Sequence, residues 1–239
     1  MGHWEDIGLP AEFDGTVRLF PLPNLVLFPH VIQALHIFEP RYCEMLSEAL
    51  ESDHLITMAL LDRGWENHYH GQPRIADVVC IGRIISHTPT GDGRHNIFLA
   101  GIRRARVVEE LEVETTFRQA RVELIEDIPF DDPVAEEQAL TELLEVFRAM
   151  IPKDAANSKT LSELLSRQLP LGVLTDVIAY AVNLPTAVKL YLLGEACVES
   201  RFRVLIDNLT TLVDTEDTPD SDAPSKAPRR GSPPPFSSN

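Results

Sequence analysis

Arg18-Leu19-Phe20-Pro21-Leu22-Pro23-Asn24-Leu25-Val26-Leu27-Phe28-Pro29-His30, running on to Leu35-His36-Ile37-Phe38-Glu39-Pro40-Arg41-Tyr42, alternates short apolar runs with proline. Each proline fixes φ and removes a backbone donor, so Pro21, Pro23, Pro29 and Pro40 interrupt strand pairing at set points. Leu25 to Phe28 reads as a short apolar segment held between turns, and Ile37-Phe38 as another. Pro40 suits the first turn of a helix, and Tyr42, Met45, Leu46 and Leu50 then recur on one face of a helix over residues 41–51.

Working outward, the text from Val17 to about Ile125 is mostly strand and turn. Leu55 to Leu61 is a continuous apolar run, the pattern of a strand covered on both faces. Val78 to His87 and Asn96 to Ala100 flank Pro89-Thr90-Gly91-Asp92-Gly93, a hairpin connection. Arg103 to Leu111 and Arg118 to Ile125 alternate as two further half-buried strands. After Ile128 the period changes. Asp131-Asp132-Pro133 starts a helix in which Ala139, Leu140, Leu143, Leu144, Phe147 and Met150 recur at helical spacing. Further helices are expected at 158–168, 172–182, 186–193 and from 195 to about 212, with Pro185 opening one and Gly194 closing it. The fold class is therefore α+β: an extension over 1–15, a β domain with one inserted helix over 16–128, a helical bundle over 129–213, and a Pro-, Ser- and Asp-rich tail over 214–239. That tail has too little apolar content to order itself.

The 239 residues carry 37 acidic and 21 basic side chains, a net charge of −16. Such a balance opposes broad contact with phosphate backbones or anionic lipid, so neither nucleic acid nor membrane is an expected partner. Cys43, Cys80 and Cys197 form no C-x-x-C pair, which leaves zinc-ribbon and thioredoxin-like chemistry without support. No run approaches the roughly 18 apolar residues that span a bilayer, and residues 1–6 lack the features of a secretory signal. A cytoplasmic location is expected. No cofactor or metal is expected, and no pattern in the sequence sets an oligomeric state.

The opening stretch resembles the start of the Lon protease N-terminal domain, whose pattern is close to P-L-x-x-x-V-L-F-P-x-x-x-x-x-L-x-I-F-E-P-R-Y. Ile81-Gly82-Arg83-Ile84 is similar to that family's V-G-x-x-A/I strand, and residues 98–106, with Gly101, Arg104 and Arg106, to its G-x-x-R-x-R strand-turn. Leu174 to Ala179, Lys189 to Leu193 and Arg201 resemble its helical bundle, so the likeness covers about residues 16–212. It implies a PUA-like pseudo-barrel followed by a helical bundle, and a part that recognises unfolded or partner polypeptide segments, with a protease as a further partner. His30 stands where the family often has glycine. The P-loop pattern G-x-x-x-x-G-K-[ST] is absent from these residues, and no stretch after the bundle matches a Ser-Lys proteolytic domain. The expectation is a recognition module, an adaptor or regulator of proteolysis, rather than an enzyme. An RNA-binding PUA-like domain and a peptidase are the competing readings.

Several residues invite a role. Phe28, Phe38, Glu39, Arg41, Trp65 and Tyr69 are the candidate binding residues, since aromatic side chains in polar connections are common anchors for a partner. Glu39 and Arg41 fit equally a helix start, Glu39 accepting backbone N–H groups and Arg41 tying down a loop. The segment around Trp65 and Tyr69 fits equally a lid over the barrel end. His68-Tyr69-His70 beside Asp62 and Glu66 lies in a connection without metal-site spacing. Arg104 and Arg106 share one strand face, where they meet either RNA phosphate or the nearby Glu109, Glu110 and Glu112. No nucleophile motif is present.

Overall fold

Leu55–Leu61 (β3) is buried at all seven positions. On one edge it pairs parallel with β1 (Thr16–Leu22), Leu19 opposite Thr57, and on the other antiparallel with β4 (Ile75–Pro89), Thr57 opposite Ile81. The computed structural model describes residues 8–68, 72–150 and 169–216. β4 turns into β5 (His95–Leu111) where Gly91 and Gly93 take left-handed φ values of 83° and 78°. β6 (Gln119–Leu124) pairs with both β5 and β1, which closes a barrel-like ring. The ring is uneven: β4 and β5 are long, whereas β1 meets β6 only over Thr16, Val17 and Arg18. β2 (Ile32–Ile37) lies outside the ring, added to the first part of β5 with Ala34 opposite Phe98.

The separate strands expected at 96–100 and 103–111 are one strand. Gly101 and Ile102 are a bulge, not a turn: pairing runs Gly82 to Gly101 but Ile81 to Arg103. The extra residue bends β5 so that one strand serves both β2 and β6. Gly101 also receives the loop after Phe28, with His30 N–H donating to Gly101 O at 2.9 Å and Gly101 N–H to Val31 O at 2.8 Å. His30 itself keeps a left-handed φ of 65°, so the turn a glycine would favour is present with a histidine in it.

Between β2 and β3 lies α1 (Pro40–Glu51), proline in its first turn and Tyr42, Met45, Leu46 and Ala49 buried. Arg18 of β1 holds its far end through Glu48 and Asp53, each at 2.8 Å. The second half is α2 (Pro133–Ala149), capped by Asp132 Oδ1 accepting Val134 N–H, then α3 (Leu171–Ala181), α4 (Thr186–Gly194) and α5 (Val198–Glu216). The expected helix at 158–168 and residues 217–239 lie outside the described residues, and α5 runs three residues into the stretch expected as tail.

Two cores result. The smaller fills the ring with Val17, Leu19, Ile81, Ala105 and Ala120, and Leu9 and Phe13 of the leading segment pack on it. The larger draws on both halves of the chain: Phe28, Met45 and Leu99 share it with Leu143, Ile178, Leu205 and Leu209. An ion network whose guanidiniums are buried crosses the same junction. Arg104 of β5 donates to Asp176 of α3 at 2.6 and 2.7 Å and to Asp127 at 2.5 Å, while Arg201 of α5 donates to Asp127 at 2.6 and 2.8 Å. Burial pushes the Asp176 carboxyl up to about 7, against the pull of the Arg104 guanidinium.

Candidate functional site

The prolines of the opening stretch set the site. Contrary to the expected interruption, Pro21 stays in register opposite Ala59; pairing of β1 with β3 ends at Leu22, and Pro23 follows where the chain leaves the sheet. The end of β2 and the start of α1 face it. Residues 20–23 and 35–39, with Arg41, Tyr42, Leu61, Trp65, Pro73 and Arg118, line a groove of about 270 Å³ whose wall is mostly apolar.

Four of the six candidate residues meet there. Phe38 follows Ile37, the last residue of β2, and the turn into Pro40 leaves its ring 59% exposed while Ile37 is 1% exposed. It stacks on His36 at a centroid distance of 5.9 Å. Trp65 opens the short 3₁₀ helix Trp65–His68 and is half-buried in the groove wall. Glu39 and Arg41 form the polar rim. Here the helix-start reading needs correction: the Glu39 side chain accepts no capping bond but takes Arg41 Nη2 at 2.8 Å and Nε at 3.1 Å. Only the Glu39 carbonyl serves the helix, accepting Tyr42 and Cys43 N–H at 2.9 Å. A two-residue spacing across Pro40 lets the forked guanidinium fold back on the carboxylate.

The other two residues do not join them. Phe28 is fully buried in the larger core, because its turn is pressed onto Gly101, and it presents no surface to a ligand. Tyr69 lies outside the described residues, as does His70.

Sequence reasoning missed Arg118 and the outer face of β2. Arg118 donates to Glu110 at 2.6 and 2.8 Å and to Pro73 O at 2.9 Å, fixing the floor of the groove to β5. Beside the groove, Ile32 and Phe98 are 40% and 49% exposed on the outer face, where Phe98 lies opposite both Ala34 and Ser86. The signal for Phe98 was present: Ile97 and Leu99 are inward, so the aromatic between them must face out.

The basic cluster is split, and Arg104 and Arg106 do not share an environment. Arg104 is 2% exposed and spent on Asp127 and Asp176, not on Glu109, Glu110 or Glu112; Arg103 and Arg106 are exposed. Glu109 and Glu110 pair instead with Arg121 and Arg118. Burial holds the Cys80 thiol well above its ordinary range, so it is a core side chain rather than a nucleophile. Among the described residues no group of three His, Cys, Asp or Glu is placed to hold a metal ion, and no helix is long and apolar enough to cross a membrane. The site offers apolar contact with a polar rim.

Solved structures share this fold. The Lon N-terminal domain protein of Xanthomonas campestris superposes with a TM-score of 0.59 at 22% identity, covering 80% of this chain and 97% of that one. The N-terminal domain of the Mycobacterium avium complex Lon protease does so at 0.63 and 18%, covering 82% and 98%. The Lon proteases of Anaeromyxobacter dehalogenans and Dictyoglomus thermophilum are 24% and 28% identical over 83% and 86% of this chain. The chain spans 23% and 25% of the length of those two relatives. The model of the ATP-dependent protease La (LON) substrate-binding domain matches residues 16–211, and the chain therefore belongs to that family.

Proposed function

We propose that the protein is a non-enzymatic recognition module for unfolded polypeptide segments, acting as an adaptor or regulator that presents them to a separate protease. The observation that carries this reading is the groove between the Pro21–Pro23 corner and Phe38, with the exposed Ile32 and Phe98 beside it. Large apolar side chains left in contiguous contact with water mark interaction sites. An aromatic ring inserted among proline and leucine excludes water on both faces, which is the setting in which single side chains dominate affinity. Membership of a substrate-binding family supports the same assignment. The buried Arg104 removes the strongest phosphate contact from the RNA alternative.

The test is fluorescence anisotropy with a labelled, permanently unfolded protein such as reduced and carboxymethylated α-lactalbumin. Phe38→Ala and Phe98→Ala are suitable variants, since each ring is about half exposed and its loss leaves both cores intact. Each is expected to weaken binding about tenfold with the thermal midpoint unchanged, and the bound protein should stay uncleaved with or without ATP. Absence of binding by the unaltered protein would overturn the reading, and cleavage would overturn its non-enzymatic part.

A further inference from the structure

The groove does not end at its aromatic walls. Glu39, Arg41 and Arg118 line both it and a wider open trough of about 1190 Å³, bounded further by Glu110, Glu112 and Glu114. On its other side, Leu35 and His36 line both the groove and the shallow depression over Ala34 and Phe98. The three depressions thus adjoin in a row: acidic at one end, aromatic in the middle, apolar at the other.

Charge in the trough is one-sided. Four carboxylates line it against two guanidiniums, and both guanidiniums are already matched, Arg41 by Glu39 and Arg118 by Glu110. Glu112 and Glu114 are exposed and make no ion pair among the described residues. They lie just beyond β5, where the chain turns back towards β6, and both line the trough that adjoins the groove. Like charges held side by side at an apolar surface raise the local concentration of cations and reject anions, which sets partner choice more than raw affinity.

We propose that the occupant is an extended polypeptide segment whose apolar stretch is flanked on one side by two or more Lys or Arg residues. The apolar stretch fills the groove at Phe38, and the basic residues meet Glu112 and Glu114. This rests on the recognition reading above and names its substrate class. An exposed cation-to-carboxylate contact in water is weak, so the preference is one of several-fold, built from a few pairs, and salt removes it.

Three fluorescein-labelled peptides test it, each with the same Leu- and Phe-containing core and a flank of three Lys, three Gln or three Glu, made with the flank before and after the core. In low salt the better Lys peptide is expected to bind about fivefold tighter than its Gln counterpart, with the Glu peptide weakest. High salt should collapse the spread. Glu112→Gln/Glu114→Gln should do the same while leaving the Gln peptide unaffected. Glu137→Gln/Glu142→Gln, which removes equal charge from exposed positions on α2, should leave the spread intact. Equal binding of all three flanks would overturn the charge preference while the recognition reading stands; failure of every peptide to bind overturns both. A Lys preference that survives loss of Glu112 and Glu114, or that falls equally with the α2 pair, would overturn the assignment to this trough.

Discussion

A Cβ on Gly101 would lie 2.0 Å from the Phe28 carbonyl oxygen and 2.9 Å from its carbon, and both are backbone atoms that no rotamer change can move aside. The same close approach allows the paired hydrogen bonds with His30 and Val31, so the missing side chain is a condition of the loop's docking. Gly101→Ala is therefore expected to cost about 3 kcal/mol or more, at the upper end for overpacking. Gly91 makes the comparison: its φ is 83°, but a Cβ there meets nothing within 4 Å. Gly91→Ala should lose only the left-handed backbone penalty of about 1–2 kcal/mol. Urea midpoints of the two variants check this, and equal losses would remove the steric account. His30 shows the other side of the rule. With a φ of 65° it carries that backbone penalty in the native state, tolerable because the turn around it is fixed at both ends.

Asp176 on α3 and Arg104 on β5 are separated by 72 residues, and their contact decides how the helical layer sits on the sheet. The ordinary carboxyl value of 3.8 rises to about 7 in the folded protein because burial opposes the charge. Between those values the native chain holds a proton that the unfolded chain has released, so this group's contribution is fully present below about 4 and is lost as pH rises through 7. Asp176→Asn keeps the shape and cannot ionise. The stability of the variant minus that of the unaltered protein is expected to grow from acid to neutral pH, measured as urea midpoints across that range; a constant difference would show that Asp176 is ionised throughout. The contact also marks where sequence reasoning stopped. Element order, the covered β3, the Pro40 helix start and the helix bounds at Pro185 and Gly194 were legible, because each follows from local periodicity or from a residue type that starts or stops a helix. Phe38, Glu39 and Arg41 are neighbours in the sequence, whereas Trp65 joins them only in the fold, where all four line the groove. The bulge at Gly101-Ile102 was read as a turn, because a glycine inside an alternating run signals either. Phe28 was placed on the surface and Arg104 near it for one reason: burial depends on what packs across from a residue, and neither Gly101 nor Asp176 is announced at those positions.

The change from strand to helix near residue 128 divides the chain in its secondary structure but not in its packing. Phe28, Leu99 and Met45 belong to the same cluster as Leu143, Ile178 and Leu205, and four of the largest fully buried side chains, Arg201, Phe28, Leu99 and Leu143, come from both halves. Ile128 adds backbone bonds across the seam, donating to Ala196 O at 2.9 Å and accepting Val198 N–H at 3.0 Å. A β domain freed of its helices would expose a broad apolar face at about 25 cal/mol per Å². It would also take Asp176 from Arg104 and Arg201 from Asp127, and so break the ion network that joins the two halves. The small net stability of a domain does not survive both losses. Thermal unfolding is therefore expected as one transition, with calorimetric and van't Hoff enthalpies equal and with tryptophan fluorescence and helical circular dichroism changing together. A chain ended at residue 131 should fail to fold. Two resolved transitions, or a folded truncated chain, would instead make the ring self-sufficient and reduce the helices to an accessory layer. In that case the groove, built wholly from residues 20–118, would be separable from the rest of the molecule. Unfolding as one unit instead implies that ligand bound at Phe38 stabilises α5 as much as β2, and a titration with the unfolded protein should raise the single midpoint without splitting it.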